Sequence, residues 1–278
     1  MPELPEVETI KNQLNKLVKG KTFRSFEAAN EKSVKTEIKS FKMNLKDRKI
    51  EDIKRRAKIF LFELSGGQTL LVHLKMTGQL VFAKDKKDFN DKKNKHTRAV
   101  FSFKDGSFLL FNDLRKFGWL KLVKSENAAE EIKEGQLGPE PLEKTFTLEL
   151  FRGILKKRPN KKIKQLLMDP YLIAGIGNIY SDEILFLSRV HPVRQTKNLK
   201  PREIKKIYEN IGFVLKEALK ARGTSASDYL DARGKEGGYD KKLRVYGKKK
   251  ENCPICGTKI EWLKLNGRSA HFCPKCQN

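Results

Sequence analysis

The chain has 278 residues, of which 60 are Lys or Arg and 34 are Asp or Glu, so the net charge at neutral pH is +26. An excess of this size indicates a polyanionic partner, either nucleic acid or an anionic membrane surface, and a pI of about 9.9 favours nucleic acid. The apolar runs are too short to cross a bilayer. The acidic N-terminal residues are unlike a secretory signal, so we expect a soluble, cytoplasmic protein.

The first predicted element is a helix that begins near Pro5, because Val7, Ile10, Leu14 and Leu17 recur on one helical face. From residue 21 to 122 the sequence is typical of short strands. The segments 99–103 and 108–111 flank an Asp-Gly pair and predict a hairpin. Several such segments with turn signals between them predict a β-sandwich.

A polar, turn-rich linker at 134–146 separates the strand region from one with helical periodicity. Pro201 opens the clearest helix, and Gly223 stands where its C-cap belongs. A short helix at 163–168, a turn with Gly175 and Gly177, and a second helix from Ile179 form a helix-turn-helix-like pair. Asn178 at the start of that second helix is suited to bind a phosphate.

All four cysteines lie in the last 26 residues, as two CxxC pairs separated by 16 residues. This spacing is typical of a structural zinc site in which four thiolates surround one ion: Cys253, Cys256, Cys273 and Cys276. We expect the ion to stabilise a hairpin that is too small to have a core of its own. Arg268, near the tip of that hairpin, is either a phosphate contact or an ordinary surface residue.

Seven stretches, in the same order along the chain, resemble the formamidopyrimidine-DNA glycosylase family, the bacterial type of 8-oxoguanine DNA glycosylase. They are residues 1–9, 55–58, 73–78, 113–118, 137–142, 175–183 and 253–277. The resemblance covers essentially the whole chain and implies an α+β multidomain fold. Its parts are an N-terminal helix and β-sandwich catalytic domain (1–133), the linker (134–146), a helix-two-turn-helix domain (147–242) with a lesion-capping loop (224–242), and a zinc-finger hairpin (243–278).

The resemblance also implies the chemistry. Members flip out and excise oxidised purines, namely 8-oxoguanine and formamidopyrimidines, and then cleave the strand by β,δ-elimination. Removal of Met1 makes Pro2 the N-terminal amine, which acts as the nucleophile and forms an iminium with the sugar. Glu3 is the implied general acid and base, and Lys58 holds a phosphate near the lesion.

The remaining implied residues bind DNA in three ways. The lesion is recognised by Glu6, Thr224, Ser225 and Tyr239. The gap left by the flipped base is filled by Met76, Arg115 and Phe117. Phosphates are bound by His73, Asn178, Tyr246 and Arg268. Glycines at 234, 237 and 238 are typical of a mobile lid. We therefore expect a monomer that binds one Zn²⁺ and acts on double-stranded DNA containing an oxidised base, in association with the nucleoid.

Several positions depart from the family pattern. Ala57 replaces the usual Gly, which matters if the backbone there has positive φ. Leu114 and Lys116 replace Pro and Arg beside the gap-filling residues, and Ala270 replaces a Thr in the zinc hairpin. The lid also differs around residues 226–227 and 240–241, which leaves the substrate range open.

Three alternatives stay open at this stage. One is an endonuclease VIII-like glycosylase for oxidised pyrimidines, and another is a non-catalytic damaged-DNA-binding relative. A third is an RNA-binding zinc-ribbon protein, which would leave the N-terminal motif without a purpose.

Overall fold

A computed structural model of the protein describes residues 2–29, 31–226 and 228–278. The chain forms two compact units. The first contains the residues up to Gly135 together with Ala221–Asp240, and the second contains Gln136–Lys220 and Lys241–Asn278. The sequence analysis grouped residues 224–242 with the helical part, whereas most of this segment packs within the first unit. The reason is hydrophobic, because Tyr229 and Ala232 are buried in the core of the first unit.

The first unit contains four helices and eight strands among its described residues. The helices are α1 (Leu4–Leu17), α2 (Ile38–Leu45), α3 (Lys86–Lys92) and α4 (Ala128–Glu131). The strands are β1 (Phe23–Ala28), β2 (Ile50–Arg56), β3 (Ile59–Leu64), β4 (Gln68–His73), β5 (Gly78–Ala83), β6 (Thr97–Phe103), β7 (Phe108–Asp113) and β8 (Trp119–Lys124).

These strands form two antiparallel sheets of four, in the orders β1-β6-β7-β5 and β2-β3-β4-β8. Side chains alternate between the faces of each strand, so that in β3 Phe60 and Phe62 are fully buried while their neighbours are partly exposed. Phe101 and Phe111 enter the same core from the other sheet. Burying each such ring contributes about 1.5–3 kcal/mol. The predicted β-sandwich with an N-terminal helix is therefore confirmed.

Local sequence explains several element boundaries. The predicted hairpin is β6–β7, and Gly106 in its turn has φ +87°. Two helices, α2 and α3, lie in the region that the sequence analysis described as strand-like. Each has a capping acid, Glu37 for α2 and Asp85 for α3. These caps, together with the apolar face that Phe41 and Leu45 give α2, are the local signals for the two helices.

The second unit contains helices α5 (Leu148–Lys156), α6 (Ile163–Leu167), α7 (Asn178–Ser188) and α8 (Pro201–Lys220), and strands β9 (Glu261–Leu265) and β10 (Arg268–Phe272). Helix α7 packs against both α8 and β10. Phe186 of α7 lies in one cluster with Val245, Ile260 and the cysteines. Helix α7 and the zinc-finger hairpin thus share a core. The predicted helical domain that ends in a zinc finger is confirmed. Over the described part of the chain, no helix has the length and apolar character that a membrane span requires.

Candidate functional site

The N-terminal end of α1 places three of the expected site residues in a buried setting. Pro2 is buried, and Glu3 and Glu6 are each 1 % exposed. Glu3 is the N-cap of α1 and forms a capping box with Glu6, in which the Glu3 N–H donates to Glu6 Oε2 at 2.8 Å. Both carboxylates also lie at the positive end of the helix dipole. Met1, whose removal the resemblance implies, lies outside the described residues.

Glu6 also binds the returning segment 221–240. Its Oε1 atom accepts the backbone N–H of Thr224 at 2.8 Å. The chain passes so close that a Cβ on Gly223, at φ +82°, would lie 2.7 Å from Glu6 Oε1. A Cβ on Gly237 would lie 2.3 Å from the Gly223 carbonyl oxygen. Glycine is therefore required at both positions, because the backbone approaches the carboxylate and then itself.

Three of the expected lesion-recognition residues lie close to this contact between Glu6 and the segment 221–240. Ser225 Oγ donates to Tyr229 O at 2.7 Å and accepts the Gly237 N–H at 3.0 Å. Tyr239 is fully buried and its N–H donates to Gly223 O at 3.0 Å. Thr224 is 3 % exposed, and its Oγ1 atom has no hydrogen-bond partner among the described residues. A buried hydroxyl without a partner is costly, so it is available for a ligand.

Asp231, which the sequence analysis did not single out, organises the rest of the segment. Its carboxylate is fully buried and accepts the backbone N–H groups of Arg233 and Lys235, both at 2.9 Å. Just beyond it, the Ala232 carbonyl accepts the Phe82 N–H at 2.8 Å, at the edge of β5. Gly234 has φ +79° in the turn after Asp231. Gly234 and Gly237 are thus glycines because of the backbone conformation and the close packing at these positions. The mobility of the lid stays a prediction. Ser227, one of its divergent positions, lies outside the described residues.

Burial keeps Tyr229 protonated. Burial and then the negative charges of Glu6 and Asp231 raise the pKa of the Tyr229 phenol well above its ordinary value. The hydroxyl donates to Arg222 O at 3.1 Å. Because this group stays neutral, it acts as a structural donor rather than as an acid or base near the site.

Lys58 lies in the two-residue turn between β2 and β3, beside Ala57. Ala57 has φ +51°, so this position does have the left-handed backbone that the usual Gly would adopt without strain. Arg55 positions the turn, since its Nη1 donates to Ala57 O at 2.9 Å and its Nε donates to Glu8 at 2.8 Å. The turn with Lys58 is thereby tied to α1.

His73, at the end of β4, is neutral and has a defined tautomer. Burial, together with the positive charges of Lys75 and Lys58, lowers the pKa of His73 to about 3. Its Nδ1 atom accepts the Lys75 N–H at 2.9 Å, so the ring proton is on Nε2. His73 can therefore donate one hydrogen bond to a phosphate without carrying a charge.

The three expected gap-filling residues lie on neighbouring loops of the first unit. Arg115 and Phe117 are exposed, and the Arg115 guanidinium carbon lies 4.8 Å from the centre of the Phe117 ring. Met76 is partly exposed. Buried Asp113 holds these loops together: it accepts the Thr77 hydroxyl at 2.5 Å and the N–H of residue 118 at 2.7 Å. Phe117 is 54 % exposed and Leu114 is 47 % exposed, so this loop presents apolar side chains to solvent.

In the second unit, Asn178 is the first residue of α7, as predicted. Its side-chain amide donates to Ser269 Oγ at 3.4 Å, and its Oδ1 has no partner among the described residues. Lys164 lies beneath it, 1 % exposed, and forms an ion pair with fully buried Asp182. Lys164 Nζ also donates to Ser269 O at 3.0 Å, which joins α6, α7 and β10.

Tyr246 follows a loop that Glu183 of α7 holds in place. Glu183 is fully buried, and its Oε1 accepts the backbone N–H groups of Val245 at 2.9 Å and Tyr246 at 3.0 Å. Burial raises the pKa of the Glu183 carboxyl, and the N–H donors oppose that shift. The Tyr246 ring lies 5.2 Å from the His271 ring, edge-on. A buried acid on α7 thus positions a residue that the resemblance assigns to phosphate binding.

The four cysteines form a site for one zinc ion. Their sulfur atoms lie within 4.8 Å of one another, with Cys253 and Cys276 3.9 Å apart and Cys256 and Cys273 3.5 Å apart. Thiolates around a tetrahedral zinc at ~2.3 Å are separated by about 3.8 Å, so the residues fit the ion. Four protein ligands complete its coordination, which makes the site structural.

Arg268 lies next to the tip of the β9–β10 hairpin. The tip is Asn266-Gly267, with φ +47° and +76°, as a type I′ turn requires. Arg268 is exposed. Ala270, where the family usually has Thr, is fully buried, so a hydroxyl there would need a partner.

Comparisons with known proteins agree with this arrangement. The sequence profile of the formamidopyrimidine-DNA glycosylase N-terminal domain matches residues 1–120, and the profile of the same family's H2TH domain matches 137–229. A zinc finger found in FPG and IleRS matches 250–278. The fold and site thus define a DNA glycosylase with a zinc finger.

Full-length relatives identify the family. The formamidopyrimidine-DNA glycosylases of Listeria innocua and Lactobacillus helveticus are 42 % and 40 % identical over 278 residues, covering 100 % of this chain and 100 % and 99 % of those proteins. A Lactococcus lactis Fpg complex with abasic-site DNA superposes with a TM-score of 0.91 at 36 % identity, covering 99 % of each chain. The chain belongs to the formamidopyrimidine-DNA glycosylase family. It is accordingly a DNA-repair enzyme, a glycosylase with abasic-site lyase activity.

A second Lactococcus lactis Fpg structure contains DNA with an oxidised pyrimidine, and it superposes with a TM-score of 0.90 at 36 % identity over 100 % of both chains. The residues that sequence reasoning missed are the buried acids Asp113, Asp182, Glu183 and Asp231, and Lys164, the partner of Asp182. Each is polar and lies within or beside a predicted element, and its burial was not visible from spacing.

Proposed function

We propose that the protein excises oxidised purines, 8-oxoguanine and formamidopyrimidines, from double-stranded DNA and then cleaves the strand by β,δ-elimination. The observation that carries this proposal is the buried start of α1. There Pro2, Glu3 and Glu6 lie together with Thr224, near the start of the segment 221–240. A nucleophile, an acid and a buried hydroxyl without a partner suit a reaction at a flipped nucleotide.

Pro2 is the nucleophile in this proposal. Once Met1 is removed, its secondary amine is an N-terminal α-amine, a kind of group that ordinarily loses its proton at a lower pH than a lysine side chain does. The nitrogen forms a bond to C1′, and the bond from C1′ to the base breaks, the base leaving with the electron pair and a proton. Loss of the amine proton and opening of the C1′–O4′ bond give an iminium that is positively charged without protonation.

Glu3 supplies and removes protons on the sugar. It donates a proton to O4′ as the ring opens. The iminium then accepts the electrons of a C2′–H bond, and the 3′ phosphate leaves in the β-elimination. A second elimination expels the 5′ phosphate. Lys58 binds a phosphate beside the lesion, where the Arg55 contact to Ala57 O fixes its turn.

The loops with Met76, Arg115 and Phe117 support base extrusion. An exposed aromatic ring and a thioether can replace the stacking that is lost when a base leaves the helix. The Arg115 guanidinium has the donor pattern to pair with an orphaned cytosine. His73, Asn178, Tyr246 and Arg268 are the proposed phosphate contacts. Thr224, Ser225 and Tyr239, with Glu6, are the proposed lesion contacts.

Oxidised pyrimidines are a second candidate substrate. The observation that favours them is the Lactococcus lactis Fpg structure whose DNA contains an oxidised pyrimidine.

We propose that the enzyme acts as a monomer in the cytoplasm, on the nucleoid.

Base excision assays test the proposal. Duplexes with 8-oxoguanine opposite cytosine, a formamidopyrimidine or an oxidised pyrimidine are incubated with the wild type, Glu3→Gln and the control Glu27→Gln. Glu27 is an exposed residue on β1 of the same unit and has no place in the proposed chemistry. We expect preferential purine release, its loss in Glu3→Gln by about 100-fold or more, and its retention in Glu27→Gln. Preference for the pyrimidine would favour the second candidate, and no release from any duplex would contradict both.

A further inference from the structure

A polar cavity of about 310 Å³ lies in the first unit, further along α1 than the proposed active site. Three of its residues belong to α1 and three to the segment 221–240: Asn12, Gln13, Lys16, Arg222, Arg233 and Lys235. Lys16 follows Glu3 by 13 residues, which corresponds to about 20 Å along the helix axis. The cavity is therefore separate from Pro2 and Glu3.

Asp231 is the scaffold beneath this cavity. Its Oδ1 atom accepts the N–H groups of Arg233 and Lys235. Its Oδ2 atom accepts Gln13 Nε2 at 3.0 Å and Arg222 Nη1 at 2.9 Å. Asp231 is fully buried. One carboxylate thus fixes the backbone or side chain of four of the six lining residues, so the cavity is preorganised.

The cavity has more positive charge than its one buried acid, Asp231, can neutralise. Its four ionisable lining residues are all cationic. Asp231 pairs with Arg222, but Lys16, Arg233 and Lys235 have no carboxylate within 4 Å among the residues that the structure describes. Like charges around one cavity repel one another at distances below the Debye length of about 8 Å. An anion bound between them removes that repulsion.

We propose that this cavity binds an oligophosphate group, meaning two or more linked or closely spaced phosphates. The lining residues are donors, and none has an apolar side chain, which excludes a hydrophobic ligand. The cations are exposed and therefore screened, so a multiply charged anion is needed for measurable affinity. The planar Arg233 guanidinium can bind phosphate oxygens in pairs.

The cavity lies between α1 and the segment 221–240, so a bound ligand would contact both. Lys16 lies on α1, whereas Arg233 and Lys235 lie on the segment whose start, Thr224, is bonded to Glu6. An anion held by both sides bridges the segment to the helix. The phosphates come either from a free oligophosphate or from the backbone of bound DNA, and these sources are distinguishable.

Titration calorimetry with sodium tripolyphosphate, at constant ionic strength and without DNA, is the first test. We compare the wild type with Arg233→Ala/Lys235→Ala. The matched control is Lys39→Ala/Lys42→Ala, which removes the same charge from exposed positions on α2 of the same unit. For a free-oligophosphate site, we expect saturable binding that weakens by about tenfold or more in the cavity variant and is unchanged in the control.

Binding to an undamaged duplex, measured over a range of salt concentrations, is the second test. If DNA supplies the phosphates, the cavity variant lowers the salt dependence by about 1.8, roughly 0.9 for each lost cation, and the control does not. Lys16→Ala, on the opposite wall, should reproduce half of that change. Equal losses in the cavity and control variants, or no loss in either assay, would overturn the proposal. Circular dichroism verifies that each variant is folded.

Discussion

Glu6 and Thr224, which are 218 residues apart in the sequence, are joined by a buried hydrogen bond of 2.8 Å from the Thr224 N–H to Glu6 Oε1. The other oxygen of the same carboxylate accepts the N–H of Glu3. One buried acid therefore joins the start of α1, where the proposed catalytic residues lie, to Thr224. The resemblance identifies the segment that begins at Thr224 as the lesion-capping loop.

Replacing Glu6 by Ala should destabilise the first unit strongly. It would leave two buried N–H donors without an acceptor, and we expect a loss of about 2–4 kcal/mol in the free energy of unfolding. Urea denaturation measures this. Glu27→Ala, at an exposed site on β1, is the control and should cost no more than about 0.5 kcal/mol. Equal stability of the two variants would mean that Glu6 does not perform this structural role.

Replacing Ala57 by Gly should stabilise the protein. At φ +51° an L-residue is strained by about 1–2 kcal/mol, and the extra unfolded-state entropy of Gly offsets part of the gain. We expect a net gain of about 0.5–1 kcal/mol, measured by urea denaturation. Ala57→Val should lower the free energy of unfolding for the same reason, because a branched side chain tolerates positive φ poorly. A stable valine variant would contradict the assigned backbone strain.

His73 should make the folded state less stable in acid. Its pKa is about 3 in the folded protein and 6.5 ordinarily, so between these values the unfolded chain binds a proton that the folded chain does not. The free energy of unfolding therefore falls as pH falls from 6.5, by at most about 1.4 kcal/mol per pH unit and by less because the ring is partly exposed.

The variant His73→Gln isolates this effect, because glutamine keeps a donor and does not titrate. We expect its stability to decline less steeply than that of the wild type between pH 7 and pH 5, in urea titrations at each pH. Parallel declines would show that His73 is protonated normally in the folded state.

Lys164 and Asp182 form a buried ion pair, and breaking it should be costly. Lys164→Met leaves the Asp182 carboxylate buried without its cation, for which we expect about 3–5 kcal/mol. Lys161→Met is the control, because its pair with Asp169 is partly exposed and should contribute about 1 kcal/mol or less. Guanidinium denaturation compares them. Similar losses in both variants would refute the special role of the buried pair.

The sequence predicted the elements whose signals are local. The apolar face of α1, the Asp-Gly hairpin and the paired cysteines were all visible as spacing. The roles of Asp113, Asp231 and Glu183 were not, since each depends on a distant partner that the fold brings to the carboxylate. These partners are the Thr77 hydroxyl for Asp113, the Gln13 amide for Asp231 and the Val245 N–H for Glu183. The grouping of residues 221–240 with the first unit depends likewise on the burial of Tyr229 and Ala232. Long-range contacts of this kind leave no periodic pattern in one sequence.

Borohydride trapping tests the central claim most directly, because it captures the iminium itself. Wild type and Pro2→Gly are incubated with an 8-oxoguanine:cytosine duplex and sodium borohydride, after mass spectrometry has verified that Met1 is absent. We predict a covalent protein–DNA band for the wild type, with the modified peptide carrying the sugar on Pro2. A band in which the DNA is attached to a lysine such as Lys58, or no band with this duplex, would contradict the account.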